Sequence, residues 1–214
     1  MTATASTDPV RGGVRAASRL ALPAVFAALA AAAGYALVSV PNVELVTFVV
    51  YVAGALLGRW RGAVVGAVAM AVFSGANPMG SGLGLPPLFV AQVASAAFAG
   101  FAGGATGPTI ARAAGLGTAR GRRPAVAVAA SALVGLALTA VYQAAVVAGL
   151  AVASPEFATG LLSALAANAF FSTVHLVSNT VVFAILAPVV LPRAARALAS
   201  LEGTRGGPAK GADS

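Results

Sequence analysis

The polar residues of one apolar run near the C-terminus hold most of the chemistry this chain has to offer. In residues 168–188, NAFFSTVHLVSNTVVFAILAP, Asn168, Ser172, His175 and Asn179 follow at steps of four, three and four. On a helix that spacing makes a single stripe, with Phe171, Val174, Val181, Val182 and Phe183 on the other faces. Two amides, a hydroxyl and an imidazole in a line can donate and accept hydrogen bonds to a small molecule. In hydrocarbon such groups are expensive unless they face protein, water or a ligand, so the stripe is expected to point inward under cover of other helices. Ser, Asn and His also tie helices together in lipid. That role explains any one of these residues as well as binding does, whereas four on one face favour a polar site.

The elements that position this stripe follow from composition. The chain is 59% hydrophobic and 8% charged, with a mean hydropathy of +0.94. This predicts an all-α integral membrane protein rather than a soluble domain. There is no Cys, hence no disulfide framework and no thiol chemistry. The net charge of +8 does not point to nucleic acid, because the charges lie in tails and turns around apolar runs. The first apolar run has no signal-peptide layout, since further runs rather than a small-residue cleavage site follow it.

Taken in order, residues 1–19 are polar and basic and read as a mobile tail. Residues 20–43 carry no charge and suffice for a first span, which needs ~20 residues. Pro23 falls in its first turn, where proline is tolerated. The span is rich in alanine, including Ala24, Ala28 and Ala32. Small residues four apart let another helix approach, either within the molecule or from a second membrane protein. Pro41-Asn42-Val43-Glu44 is a short turn in which Asn42 suits an N-cap and Glu44 a first-turn acid. Residues 45–58 and 62–76 flank Arg59-Trp60-Arg61 and read as two short spans with snorkelling arginines. Gly54, Gly58, Gly62 and Gly66 let them come close. Residues 75–87, GANPMGSGLGLPP, form a loop containing Asn77. Its glycines are not a phosphate loop, for no strand precedes them and no lysine follows. A fourth span carries Gln92 and Ser95, then Gly100, Gly103, Gly104 and Gly107. After a basic loop, Pro124 opens a fifth span with Ser131, Gly135, Thr139 and Gln143 four apart and Tyr142 alongside. The sixth span carries the stripe and is expected to end at Pro192. Residues 20–192 thus form a six-helix membrane domain, and 193–214 a polar tail.

Lys and Arg fall in the N-terminal tail, the Arg59/Arg61 turn, the loop 112–123 and the C-terminal tail. With six spans, all four places lie on one side. The opposite side holds only Glu44 and Glu156. The positive-inside rule then puts both termini in the cytoplasm. From the outer ends, at ~1.5 Å per residue, Gln143 and Asn168 lie ~12–15 Å deep, His175 deeper and Asn179 deeper still. Asn42, Glu44, Asn77, Gln92, Tyr142, Gln143, Asn168, Ser172, His175 and Asn179 are therefore expected around one outward cavity, the usual form of a small-molecule site between helices. The spans contain no Asp, Glu, Lys or Arg, which disfavours an ion-coupled transporter. There is no metal-ligand cluster, no cofactor motif, and no nucleophile–base pair, since the single His has no Asp partner in its helix. The sequence therefore points away from an enzyme.

Residues 41–44 (PNVE), 54–58 (GALLG), 62–66 (GAVVG), Asn77-Pro78 and 175–179 (HLVSN) running on to Pro188 resemble the substrate-binding S components of energy-coupling factor (ECF) vitamin transporters. The likeness extends over residues 20–191. It implies a small-molecule binder that works with a transmembrane T component and two cytoplasmic ATPases. It also implies ligand capture by the outer loops and helices four to six, and contact of the first helix with the T component through small residues, here Ala24/Ala28 or Ala28/Ala32. With no cation outside or within the spans, and with Glu44 and Glu156 outside, a neutral or cationic heterocycle of the vitamin or cofactor-precursor kind suits the site best. A stand-alone facilitator or channel, and a purely structural membrane subunit, are the competing expectations.

Overall fold

The computed structural model describes residues 9–40, 45–78, 80–115, 123–154, 156 and 161–205; for 9–19, 161–165, 167–168 and 201–205 it describes the backbone alone. The elements are α1 (Pro9–Ala36), α2 (Val46–Leu57), α3 (Arg59–Gly75), a 3-10 turn (Gly82–Gly84), α4 (Pro86–Ala114), α5 (Pro124–Ala153) and α6 (Leu161–Arg205). Among the described residues there is no strand, in keeping with the all-α expectation. Among the described residues, three helices are long and apolar enough to cross a membrane: α4, α5 and the stretch Ala169–Ser200 of α6. Leu20–Ala36 and α2 are apolar but shorter. At ~1.5 Å per residue, α2 reaches about 18 Å, against a hydrocarbon core of about 30 Å.

Two helix ends differ from the sequence expectation. Helix α1 is already formed at Pro9, well before residue 20, so Pro23 lies inside it and not in its first turn. Helix α6 does not stop at Pro192 but passes through both Pro188 and Pro192 to Arg205. The sequence beyond, RAARALAS, is dominated by strong helix formers, and Leu191 and Pro192 are buried, which holds the segment against the bundle. Arg193 folds back on this turn, its Nη1 donating to the Val189 carbonyl at 3.0 Å.

Helix α2 sits at the centre. From Val46 to Gly54 only Val49 is not buried, as befits a helix that is apolar on every face. Phe183 of α6 meets Phe48 and Tyr51 edge-on at 5.3 and 5.1 Å, and the Tyr51 hydroxyl bonds Thr106 Oγ1 of α4 at 2.7 Å. Helices α2 and α3 are joined by Gly58 alone. Its φ of 93° and ψ of 159° lie in a region that is essentially restricted to glycine. Beyond this hinge the backbones of α2, α3 and α4 come together. A Cβ on Gly54 would strike the Gly100 carbonyl, one on Gly100 the Gly62 carbonyl, and one on Gly62 both Gly54 Cα and the Gly100 carbonyl.

These contacts also sort the charges. Gly104 packs on the Arg59 backbone and Gly107 on Ala55. Arg112 lies in one cluster with Leu56, Leu191 and Ala195, and the Arg123 N–H bonds the Ala113 carbonyl at 2.8 Å. Arg59, Arg112, Arg123 and the Arg193/Arg196 turn therefore share one end of the bundle. Asn77 and the C-terminal end of α5, where Gly149 touches Leu88, lie at the other.

Candidate functional site

At the end opposite the arginines, α3, the loop after it and the start of α4 enclose a pocket of about 250 Å³. Met70, Phe73 and Leu88 supply apolar wall, and Ser74, Asn77 and Gln92 supply polar groups. The Ser74 hydroxyl donates to Gln92 Oε1 at 2.5 Å. With its oxygen engaged, Gln92 has its Nε2 hydrogens to offer as donors. The loop closes over this pair. Ser81 Oγ donates to the Gly75 carbonyl at 2.6 Å and accepts from the Leu83 N–H at 3.2 Å. A Cβ at Gly82 would run into Ser74 Oγ and lie 3.3 Å from Gln92 Oε1, so the turn's backbone rests on the hydrogen-bonded pair. The far end of α1 braces the wall, with the Tyr35 hydroxyl donating to the Val72 carbonyl at 2.8 Å and its ring 5.3 Å from Phe73. None of the residues lining the pocket is charged.

The helical stripe lies elsewhere, in the seam between α5 and α6. His175 and Asn179 are buried and Ser172 is half-buried. The His175 ring meets Tyr142 edge-on at 5.6 Å. A Cβ at Gly135 would touch the Phe183 side chain and, at 3.0 Å, the Asn179 carbonyl. These pairings set an antiparallel register that brings Leu138 and Thr139 level with Asn179. The buried hydroxyls on α5 are committed to their own helix: Ser131 donates to the Ala127 carbonyl at 2.7 Å and Thr139 to that of Gly135 at 2.8 Å. Asn179 is 1% exposed, and neither Nδ2 nor Oδ1 finds a hydrogen-bond partner among the described residues. A buried polar group left without a partner costs ~1–3 kcal/mol. Asn179→Leu is therefore expected to stabilise the ligand-free protein by about that amount in thermal or denaturant unfolding. A lower melting temperature would mean that the amide ties helices together.

The sequence-derived residues thus fall into groups. Asn77 and Gln92 line the pocket. Tyr142, Ser172, His175 and Asn179 belong to the α5–α6 seam, and Gln143 follows Tyr142 on α5, half-buried. Asn42, Glu44 and the side chain of Asn168 lie outside the described residues. Glu156 is exposed and receives the Ser154 hydroxyl at 3.0 Å. A backbone hydrogen bond at its own residue, and then Ser154, hold its carboxyl below the usual value. Sequence reasoning passed over Ser74 and Ser81. Ser74 has no periodic partner, and only the return of the chain brings it to Gln92. The glycine-rich loop that is no phosphate loop turns out to be the lid-side wall of the pocket.

On the face of α1 that other helices leave uncovered, Ala24, Ala28 and Ala32 are exposed, while Ala27, Ala30 and Ala31 are buried. No family model, no curated protein and no solved structure matches this chain.

Proposed function

We propose that the chain is the substrate-binding membrane subunit of an ECF-type importer. In this reading it crosses the membrane six times with both termini in the cytoplasm. It captures a neutral or cationic heterocycle from outside and relies on a T component and two ATPases for uptake. The observation that carries the reading is the uncharged, hydrogen-bonding pocket at the end of the bundle away from the arginines. The positive-inside rule makes the arginine end cytoplasmic, so this pocket opens outward. Its amides and hydroxyls on apolar walls are the usual make-up of a site for a small organic ligand. The exposed alanine face of α1 gives a partner helix room to approach, and the likeness of residues 20–191 to S components points the same way.

Topology is tested first. A cysteine replacing Ser81 is expected to react with an impermeant thiol reagent added to intact cells, and one replacing Ser200 only after the cells are opened. The reverse pattern overturns the orientation and the outward pocket together.

Native mass spectrometry of the purified protein then identifies the co-purified ligand, and binding is measured with that compound. Gln92→Leu removes a hydrogen-bonding group from the pocket. A lost partner is worth ~1–3 kcal/mol, or ~5- to 150-fold in Kd at 1.4 kcal/mol per decade. Unchanged affinity in a normally folded Gln92→Leu protein moves the site to the α5–α6 seam. Uptake that persists without any ATPase makes the protein a facilitator. A protein that binds no small molecule is a structural subunit.

A further inference from the structure

The arginine-bearing end of the bundle holds a second hollow, of about 270 Å³, between α2, α4 and α6. Ala55, Gly107 and Ala111 form its wall toward the core, Leu191 and Ala195 flank it, and Arg112 stands at its edge. The hollow exists because Ala55, Gly107, Ala111 and Ala195, one from each turn that faces it, are small. Gly107 and Ala55 are already so close that a Cβ on the glycine would collide with that of the alanine, yet the side chains beyond are too short to fill the remaining space. Its lining is mostly apolar, so water finds few of the two to four polar partners it needs there. Left empty, the hollow forfeits the dispersion contacts of its walls.

Arg112 is exposed, and its Nη2 donates to Thr109 Oγ1 at 3.2 Å. That bond lays the guanidinium along α4 and leaves its remaining N–H groups to bind an anion. An arginine in the last turn also offsets the carbonyl end of the helix. That role accounts for a basic residue, but not for an apolar hollow beside it. None of the residues lining the hollow is a carboxylate that would repel an anion.

We propose that this hollow binds one anionic phospholipid, with part of an acyl chain between α2, α4 and α6 and the phosphate on Arg112. The inference rests on the arginine end facing the cytoplasmic leaflet, which the Ser81/Ser200 labelling tests separately, and on nothing about the transported ligand. The space suits a stretch of one chain and is too small for a helix about 10 Å across. Anionic headgroups of that leaflet are attracted to basic residues at membrane depth. A chain gains little by leaving other chains for an apolar protein groove, so the choice among lipids falls to the headgroup and hence to Arg112.

The experiment uses the purified full-length protein, stripped of lipid in detergent and titrated with phosphatidylglycerol or with phosphatidylcholine of the same chains. Lipid retention is read by native mass spectrometry and stabilisation by thermal melting. Phosphatidylglycerol is expected to be retained and to raise the melting temperature, and phosphatidylcholine to do neither. Arg112→Gln is expected to weaken phosphatidylglycerol binding about 5-fold, the worth of one basic residue at an anionic surface. Arg112→Lys keeps most of the preference. Ala195→Phe, which fills the hollow from its rim, abolishes retention. Arg196→Gln removes an equal charge from the same end and leaves binding within about twofold. Equal retention of both lipids overturns the proposal, as does an equal loss in Arg196→Gln. Stabilisation by inorganic phosphate alone assigns Arg112 to a free anion instead. Retention unchanged in both Arg112→Gln and Ala195→Phe, with both variants folded, leaves the hollow to a protein partner.

Discussion

Gly100→Leu is expected to destroy the bundle, yielding protein that aggregates on extraction into detergent. A Cβ at residue 100 would lie on the Gly62 carbonyl, and the Gly100 carbonyl itself presses on the positions where Gly54 and Gly62 would carry theirs. All of these obstacles are backbone, so no side chain can rotate away to make room. Overpacking a core by a methylene or two costs ~1–3 kcal/mol when side chains can adjust. Here three helix backbones must separate, and that breaks the packing of α2, the most buried helix, against both neighbours. Even Gly100→Ala is expected to cost at least the upper part of that range in denaturant or thermal unfolding. Gly84→Ala supplies the control. A Cβ there meets nothing within 4 Å, and such surface changes stay within about 0.5 kcal/mol. A Gly100→Leu protein that melts with the wild type would show that α2, α3 and α4 do not cross at this point.

The second large effect concerns α1 and follows from the proposed partnership with a T component. Ala28→Trp is expected to abolish ATP-driven uptake while the isolated protein still binds its ligand with nearly normal affinity. Ala28 lies on the exposed face with Ala24 and Ala32, so the indole projects away from the bundle and disturbs no internal contact. A partner helix that needs small residues for close approach is then held off by its bulk. Ala30→Trp is the internal comparison. Ala30 is fully buried, and tryptophan there is expected to lose folding, uptake and binding together. If Ala28→Trp loses binding as far as uptake, the outer alanine face is a packing seam of this protein and the docking idea fails. Normal uptake would place the partner on another surface.

Features that depend on near neighbours in the chain were legible without coordinates. Long uncharged runs announce apolar helices, because a backbone in hydrocarbon must bond within its own segment. The steps of three and four that join Ser172, His175 and Asn179 place them on one side of α6, since helical periodicity is local. His175 and Asn179 are indeed buried together. Arginines at the ends of the apolar runs separate the two ends of the bundle, and the packing gathers Arg59, Arg112, Arg123, Arg193 and Arg196 at one of them.

What only the tertiary structure decided rests on approaches between distant segments. Ser74 and Gln92 are 18 residues apart and form a pair because the chain turns back over Gly82. The alanines of α1 look alike in sequence, so nothing separates Ala28 from Ala27 until α2 and α3 cover one face. Which glycines touch which was equally hidden, because a crossing point depends on where ridges of neighbouring helices interleave. The prolines of α6 misled for the converse reason. A local helix-breaking tendency was overridden by buried packing at Leu191 and Pro192 and by strong helix formers beyond them. The unpartnered amide of Asn179 belongs to the same class. Its position on a stripe is local, but its isolation depends on the facing turn of α5, where Thr139 has spent its hydroxyl proton on the Gly135 carbonyl.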